Sequence, residues 1–215
     1  MRAVEAIGSG DTVDEANAAA AAVVQSVCGA DAAPVFVVLS EGDAGLMGVG
    51  KKPALVLARL EDQPELTPVP ARVEEVLTRI VAAIDDQLRV AVGEGDHRVT
   101  ASISGEHSAL VIGRHGQTID SISHLVSALA LSLSEDRWEI VIDAAGYRER
   151  REQRLHAVAE RAAERAIGEG RRQDLEPMSS AERRIVHMAL ADRTDVETTS
   201  EGREPARFVV VLPSA

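Results

Sequence analysis

Ile112-Gly113-Arg114-His115-Gly116 is the stretch from which the rest of the chain is read. Ala109-Leu110-Val111-Ile112 leads into it, and the apolar positions Ile119, Ile122, Val126, Leu129 and Leu133 follow. Their steps of three and four are those of one buried helix face. Two glycines between two such segments predict a tight helix–turn–helix with Arg114 and His115 at its tip. Glycine lacks a Cβ, so it adopts backbone angles closed to other residues and lets another chain approach closely. A lone Gly-x-x-Gly is also an ordinary helix corner, so its surroundings decide.

Upstream, Val73, Val76, Leu77, Ile80, Ile84 and Leu88 mark an amphipathic helix. Two alternating stretches, Leu88–Val92 and Arg98–Ser104, flank Gly93-Glu94-Gly95-Asp96 and predict a hairpin. Downstream, Trp138–Asp143 predicts a strand. The resulting order α-β-β-α-α-β resembles a KH domain of the second topological type, whose GXXG loop clamps the backbone of a single nucleic-acid strand.

Toward the N-terminus, Ala3–Ile7 predicts a short strand ended by Gly8-Ser9-Gly10. Thr12 and Glu15 have the spacing of a capping box for an Ala-rich helix that runs to about Cys28 and stops at Gly29. Val35–Leu39 predicts a buried strand and Ala54–Leu60 another, giving a β-α-β-β module. Between them, Gly45 to Lys51 nearly spells a phosphate-binding loop. Lys52 stands where the magnesium-holding hydroxyl belongs, and Pro53 leads into a strand instead of a helix. A glycine-rich hairpin with two exposed lysines is the better reading. Pro64, Pro68 and Pro70 among acidic residues predict a linker over 62–72.

Beyond the hairpin-and-helix module, Tyr147 opens a long Arg/Glu helix to about Ile167, laced with one-turn charge pairs. Asp174–Glu176 is extended, and Ser179 or Ser180 caps a helix over Glu182–Leu190. Strands near Val196–Thr199 and Phe208–Leu212 follow. Arg183 and His187 stand four residues apart and so share a helix face.

Net charge is −12 over 215 residues, the wrong sign for bulk coating of nucleic acid. Its distribution is uneven: residues 148–215 carry 13 basic and 13 acidic side chains, whereas residues 1–70 carry 4 and 10. With Phe36, Phe208, Tyr147 and Trp138 as its whole aromatic complement, the chain has few platforms for stacked bases. Cys28 is alone, so no disulfide framework or cysteine-rich zinc site is expected. Histidines and carboxylates show no catalytic or metal-ligand spacing, so neither an enzyme nor a metal or other cofactor is expected. The N-terminus lacks a signal peptide's apolar core and no run reaches membrane-spanning length, which makes the cytoplasm the expected compartment.

Five segments together resemble the Jag (SpoIIIJ-associated) family. They are Thr12-Val13-Asp14-Glu15-Ala16, Gly45 through Ala54, Ile112 through Thr118, Asp143-Ala144-Ala145-Gly146-Tyr147-Arg148, and Leu175 through His187. The family more often has Phe where Leu46 stands. The resemblance runs in family order over essentially the whole chain. It implies an α+β protein of three small modules: a β-α-β-β N-terminal domain over 1–61, the type II KH domain over 73–144 after the 62–72 linker, and an Arg-x-x-x-His (RxxxH) domain over 145–215 with helices on a small β-sheet.

By the same resemblance, the protein binds single-stranded RNA. Gly113 and Gly116 admit phosphates, Arg114 and His115 face the backbone, Gln117 adjoins them, and Ile112 and Ile119 floor an apolar groove. Arg183, Arg184 and His187 add a second contact, and both histidines near phosphate are expected to hold protons better than free imidazole. Aspartate at both Gly113 and Gly116 is expected to spare the fold while repelling RNA. The resemblance further implies a small single-KH protein as heterodimer partner, indirect contacts with membrane proteins, and a post-transcriptional or chaperone role linked to the cell envelope, cell shape or division. The rival reading is a protein–protein adaptor that uses the KH and N-terminal surfaces.

Overall fold

A computed structural model describes residues 1–45, 50–132, 134 and 136–214. Among the described residues, three small three-stranded sheets, each with its own helices, make a mixed α+β protein. The chain divides into two compact units, Met1–Ala145 and Gly146–Ala215.

The first sheet has the order β1 (Arg2–Gly10), β3 (Ala54–Gln63), β2 (Val35–Ser40), antiparallel throughout. β1 does not stop at its glycines: Gly8, Ser9 and Gly10 remain paired with Val56, Leu55 and Ala54. Helix α1 (Val13–Cys28) starts as expected, with Thr12 Oγ1 accepting from the Glu15 N–H at 3.2 Å and Glu15 reaching back to the Asp11 N–H at 2.8 Å. Its Ala16, Ala20 and Val24 pack on β1 and β3, around Ala6, Ala54, Val56 and Ala58.

β2 differs from expectation. A continuous apolar run usually means burial on both faces, yet Val35 through Leu39 are all exposed. The reason is topological: β2 is the sheet's edge, and α1 covers the other two strands. The glycine-rich phosphate-loop lookalike falls largely on residues 46–49, outside the described set; Lys51 and Lys52 beside it are exposed.

The expected 62–72 linker is also mostly structured. β3 runs to Gln63 and helix α2 (Pro68–Ile84) begins at Pro68, leaving four residues between them. Proline is tolerated in a helix's first turn because its missing N–H has no intrahelical partner there, so Pro68 and Pro70 open the helix. The second sheet has β4 (Arg89–Gly95) antiparallel to β5 (Arg98–Ser104), and β5 parallel to β6 (Glu139–Ala144). The parallel pair needs a crossover, which helices α3 (Ser108–Ile112) and α4 (Gln117–Leu131) supply.

Leu77, Ile103, Ile119 and Ile142 are among the fully buried side chains beneath these helices. Each such side chain contributes about 1.5–3 kcal/mol by leaving water. The α4 core face is Ile119, Ile122, Val126 and Ala130. Leu129, expected on that face, is 40% exposed, and Leu133 lies outside the described residues.

The two sheets of this unit pack on one another. The Ile7 N–H donates to Ser104 Oγ at 2.9 Å, and Arg2 reaches Glu74 Oε1 at 2.9 Å and the Val92 carbonyl. Gly93, expected in the hairpin turn, lies within β4; a Cβ there would sit 1.6 Å from the Val27 carbonyl oxygen. Only glycine lets the end of α1 come so close.

In the second unit, α5 (Tyr147–Glu169) and α6 (Ser180–Ala189) lie on a sheet ordered β7 (Gln173–Asp174), β9 (Phe208–Pro213), β8 (Val196–Glu201). Leu155, Ala159, Ala162 and Ala166 of α5 meet Val186, Val209 and Val211 in its core.

Candidate nucleic-acid interface

The turn between α3 and α4 is held by backbone angles that ordinary residues avoid. Gly113 has φ 70°, His115 φ 51° and Gly116 φ 81°, with a 3-10 turn over Arg114–Gly116. At Gly113 a Cβ would fall 2.0 Å from Thr118 Oγ1, and Gly116 is buried. Both glycines are therefore needed by the turn itself. This corrects the expectation that aspartate at Gly113 and Gly116 would spare the fold.

Arg114 projects into solvent at the tip and forms no ion pair among the described residues. His115 beside it is half-buried, as is Ile112, and Gln117 is exposed at the start of α4. Among the described residues no side chain caps α4, and the Gln117 N–H donates to the Arg114 carbonyl. The positive end of the α4 dipole lies at the turn. Ile119 does not floor a groove: it has no exposure and belongs to the core against α2 and β6. Replacing it with alanine would cost about 2–5 kcal/mol of stability and would report on folding.

In the second unit, Ser179 caps α6 through a complete capping box with Glu182, and Glu182 also accepts from Arg151 Nε at 2.7 Å. This anchors α6 to α5 and turns Arg183 and His187 toward the sheet. Arg183 is only 7% exposed, with its Nη1 and Nη2 both 2.8 Å from Glu204 Oε1. Glu204 lies in the β8–β9 connection with most of its side chain in solvent. His187 has Nδ1 2.7 Å from Thr198 Oγ1 and Nε2 2.9 Å from Ser200 Oγ. Thr198 and Ser200 are two apart on β8, so the strand's period of two aims both hydroxyls at one imidazole. Arg184, next to Arg183, points outward and is exposed.

The sequence thus brings Arg183 and His187 to one face, as their spacing requires, but that face is largely inside. Glu204, Thr198 and Ser200 complete the cluster without having been expected there. The alternation Thr198-x-Ser200 is a usable signal for the hydroxyl pair; Glu204 comes from a turn whose path the sequence does not show.

Burial, and secondarily the Arg183 charge, lowers the His187 pKa below its ordinary value of 6.5. The folded state resists protonation of His187 while the unfolded chain accepts it. Stability contributed by neutral His187 is therefore intact above about 6.5 and lost as pH falls through the lowered folded value. Thermal unfolding of the full chain should show a lower midpoint at pH about 5.5 than at about 7.5, and His187→Gln should reduce that difference. An unchanged difference would remove His187 as its source.

Among the described residues no three His, Cys, Asp or Glu side chains converge to hold a metal ion, and no helix is long and apolar enough to cross a membrane.

Comparison with known proteins defines the two halves. The family model described as the KhpA/KhpB KH domain matches residues 71–142. The model of the RxxxH domain, named for its Arg-x-x-x-His signature, matches residues 153–213. This is therefore a protein of the class that joins a KH domain to an RxxxH domain. The RNA-binding protein KhpB of Clostridium symbiosum is 32% identical over 176 residues, covering 82% of this chain and 78% of that protein. The protein of the same name from Bacillus subtilis strain 168 is 33% identical over 178 residues, 81% and 83% of the two chains. The one from Lactiplantibacillus plantarum is 34% identical over 137 residues, 64% of this chain and 42% of that protein. The chain belongs to the KhpB (Jag) family.

Proposed function

We propose that this chain binds single-stranded RNA through two small sites. The observation that carries the reading is the Ile112–Gly116 turn, which presents the solvent-exposed Arg114 beside the N-terminus of α4, where no side chain caps the helix. A guanidinium beside the positive end of a helix dipole suits a phosphate. The name that the relatives carry, RNA-binding protein, agrees with it. Ile112, His115 and Gln117 complete the KH site, and Arg184, Arg183 and His187 form the second. Two such sites on one chain gain avidity where one RNA reaches both.

The proposed modules are an N-terminal domain over 1–63, the KH domain over 68–144 and the RxxxH domain over 145–215, with the connection after the first module shortened to 64–67. The setting is cytoplasmic post-transcriptional regulation, with a chaperone-like role, linked to the cell envelope, cell shape or division, and with no catalytic step. A small single-KH protein is the proposed partner. Leu125 and Leu129, exposed one turn apart on α4, supply an apolar stripe for it, and the same stripe is what favours the rival adaptor reading.

Binding of a short mixed-sequence single strand to Arg114→Glu decides between the two. Affinity should drop about tenfold or more with the fold unchanged, since a charge-assisted hydrogen bond is replaced by repulsion. With Arg114, Arg183 and Arg184 as phosphate contacts, log affinity against log salt should have a slope of roughly −2. A zero slope, or an Arg114→Glu protein that binds like wild type, would leave the adaptor reading.

A further inference from the structure

Strand β2 has an unusual surface. Val35, Phe36, Val37, Val38 and Leu39 are 69, 40, 50, 48 and 52% exposed, on both faces of the sheet at once. It is the edge strand, hydrogen-bonded to β3 on one side only. Natural edge strands usually carry a charge, a proline, a bulge or a covering element that prevents further pairing; here the one irregularity is at Leu39, between Val38 and Ser40, near the end of the strand. Residues 35–40 contain neither charge nor proline, the described part of the chain lays no helix over them, and Pro34 and Glu41 stand only at the ends.

We propose that β2 is a self-association edge, pairing antiparallel with β2 of a second copy to join two three-stranded sheets into one of six. An open edge calls for another strand, because only a strand satisfies its row of N–H and C=O groups. A two-fold axis perpendicular to the sheet keeps like faces together and pairs residues whose numbers sum to an even value. Centred on Val37, it sets Val37 against Val37 and Phe36 against Val38, within the stretch whose pairing with β3 is regular. These central cross-strand pairs are apolar, of the kind that stabilises a sheet. Residues 35–40 carry no charge, so pairing along them opposes no like charges although each chain has net charge −12.

The five exposures correspond to roughly 400 Å² per copy, within the range of the largest, often functional, apolar patch on a monomer. Pairing edge to edge covers the outer backbone and the flanks of these side chains while both sheet faces stay in solvent, so the buried area falls below about 1,200 Å², the range of weak reversible association.

The test is sedimentation equilibrium of the RNA-free full chain. A monomer–dimer equilibrium with a dissociation constant of tens of micromolar is expected, weakened at least tenfold by Val37→Glu and unaffected by Leu125→Glu on α4. In a Cys28→Ala background, Val37→Cys should form a disulfide-linked dimer on mild oxidation, because residues directly opposite in an antiparallel pair have Cα atoms about 4.5–5.5 Å apart. Should Val37→Glu not fold, the cysteine result decides alone. A wild-type chain that stays monomeric to about 100 µM overturns the proposal. So does a dimer that Leu125→Glu abolishes, or one that Val37→Cys fails to cross-link.

Discussion

Gly113→Ala is expected to lower the stability of the first unit by about 2–4 kcal/mol, the largest effect among single changes at the candidate RNA site. Two costs add. A non-glycine residue at φ 70° and ψ −170°, a region open essentially to glycine alone, is strained by about 1–3 kcal/mol. The new Cβ would also meet Thr118, whose Oγ1 lies 2.0 Å and Cβ 2.7 Å from its position. The melting midpoint should drop by roughly 5–10 °C for a unit of this size. Thr118→Ala removes the hydroxyl and should restore part of the loss in the double variant, leaving the dihedral strain and the remaining crowding. A Gly113→Ala protein as stable as wild type would show that the turn tolerates a side chain, and glycine would then serve the ligand alone. The practical consequence is that weakened RNA binding in a glycine variant does not report on RNA contact, whereas Arg114→Glu does.

Glu204→Gln is expected to tighten binding of single-stranded RNA about five- to tenfold. In the free protein the Glu204 carboxylate occupies both terminal nitrogens of Arg183. A phosphate that uses this guanidinium has to displace that carboxylate, and the exchange of one anion for another returns little. Hydrogen bonds to charged groups contribute about 1.5–3 kcal/mol, discounted here because most of the Glu204 side chain lies in solvent. The amide of Gln keeps an acceptor for Arg183 without the charge, so the fold should survive. Glu201→Gln is the control: Glu201 pairs with Arg172, and its replacement removes the same charge elsewhere on the unit. A gain equal in both variants would be general electrostatics. No gain at Glu204 would mean that Arg183 is structural and that Arg184 carries the cation's role.

The local elements were written in the chain. Thr12 with Glu15 and Ser179 with Glu182 made the caps that their spacing announces, since a cap involves only residues within one turn. The order of helices and strands around Gly113 and Gly116 was equally local, and it carried the fold class. Arg183 and His187 had to share a face, because four residues bring a helix round once.

Tertiary structure decided what each face meets. Val35–Leu39 has the composition of a buried strand, and only its place at the sheet's edge leaves it in water. Pro68 and Pro70 look like linker residues until the helix that starts at Pro68 gives them its first turn. Ile119 and Leu129 are both apolar residues of α4, but the direction from which α2 approaches buries one and exposes the other. Arg183 and His187 fell inward because Glu204, Thr198 and Ser200 arrive from β8 and the turn after it. Periodicity along one helix carries no information about partners delivered by a distant strand. Whether a cation stands free or already paired is therefore settled only when the chain has folded.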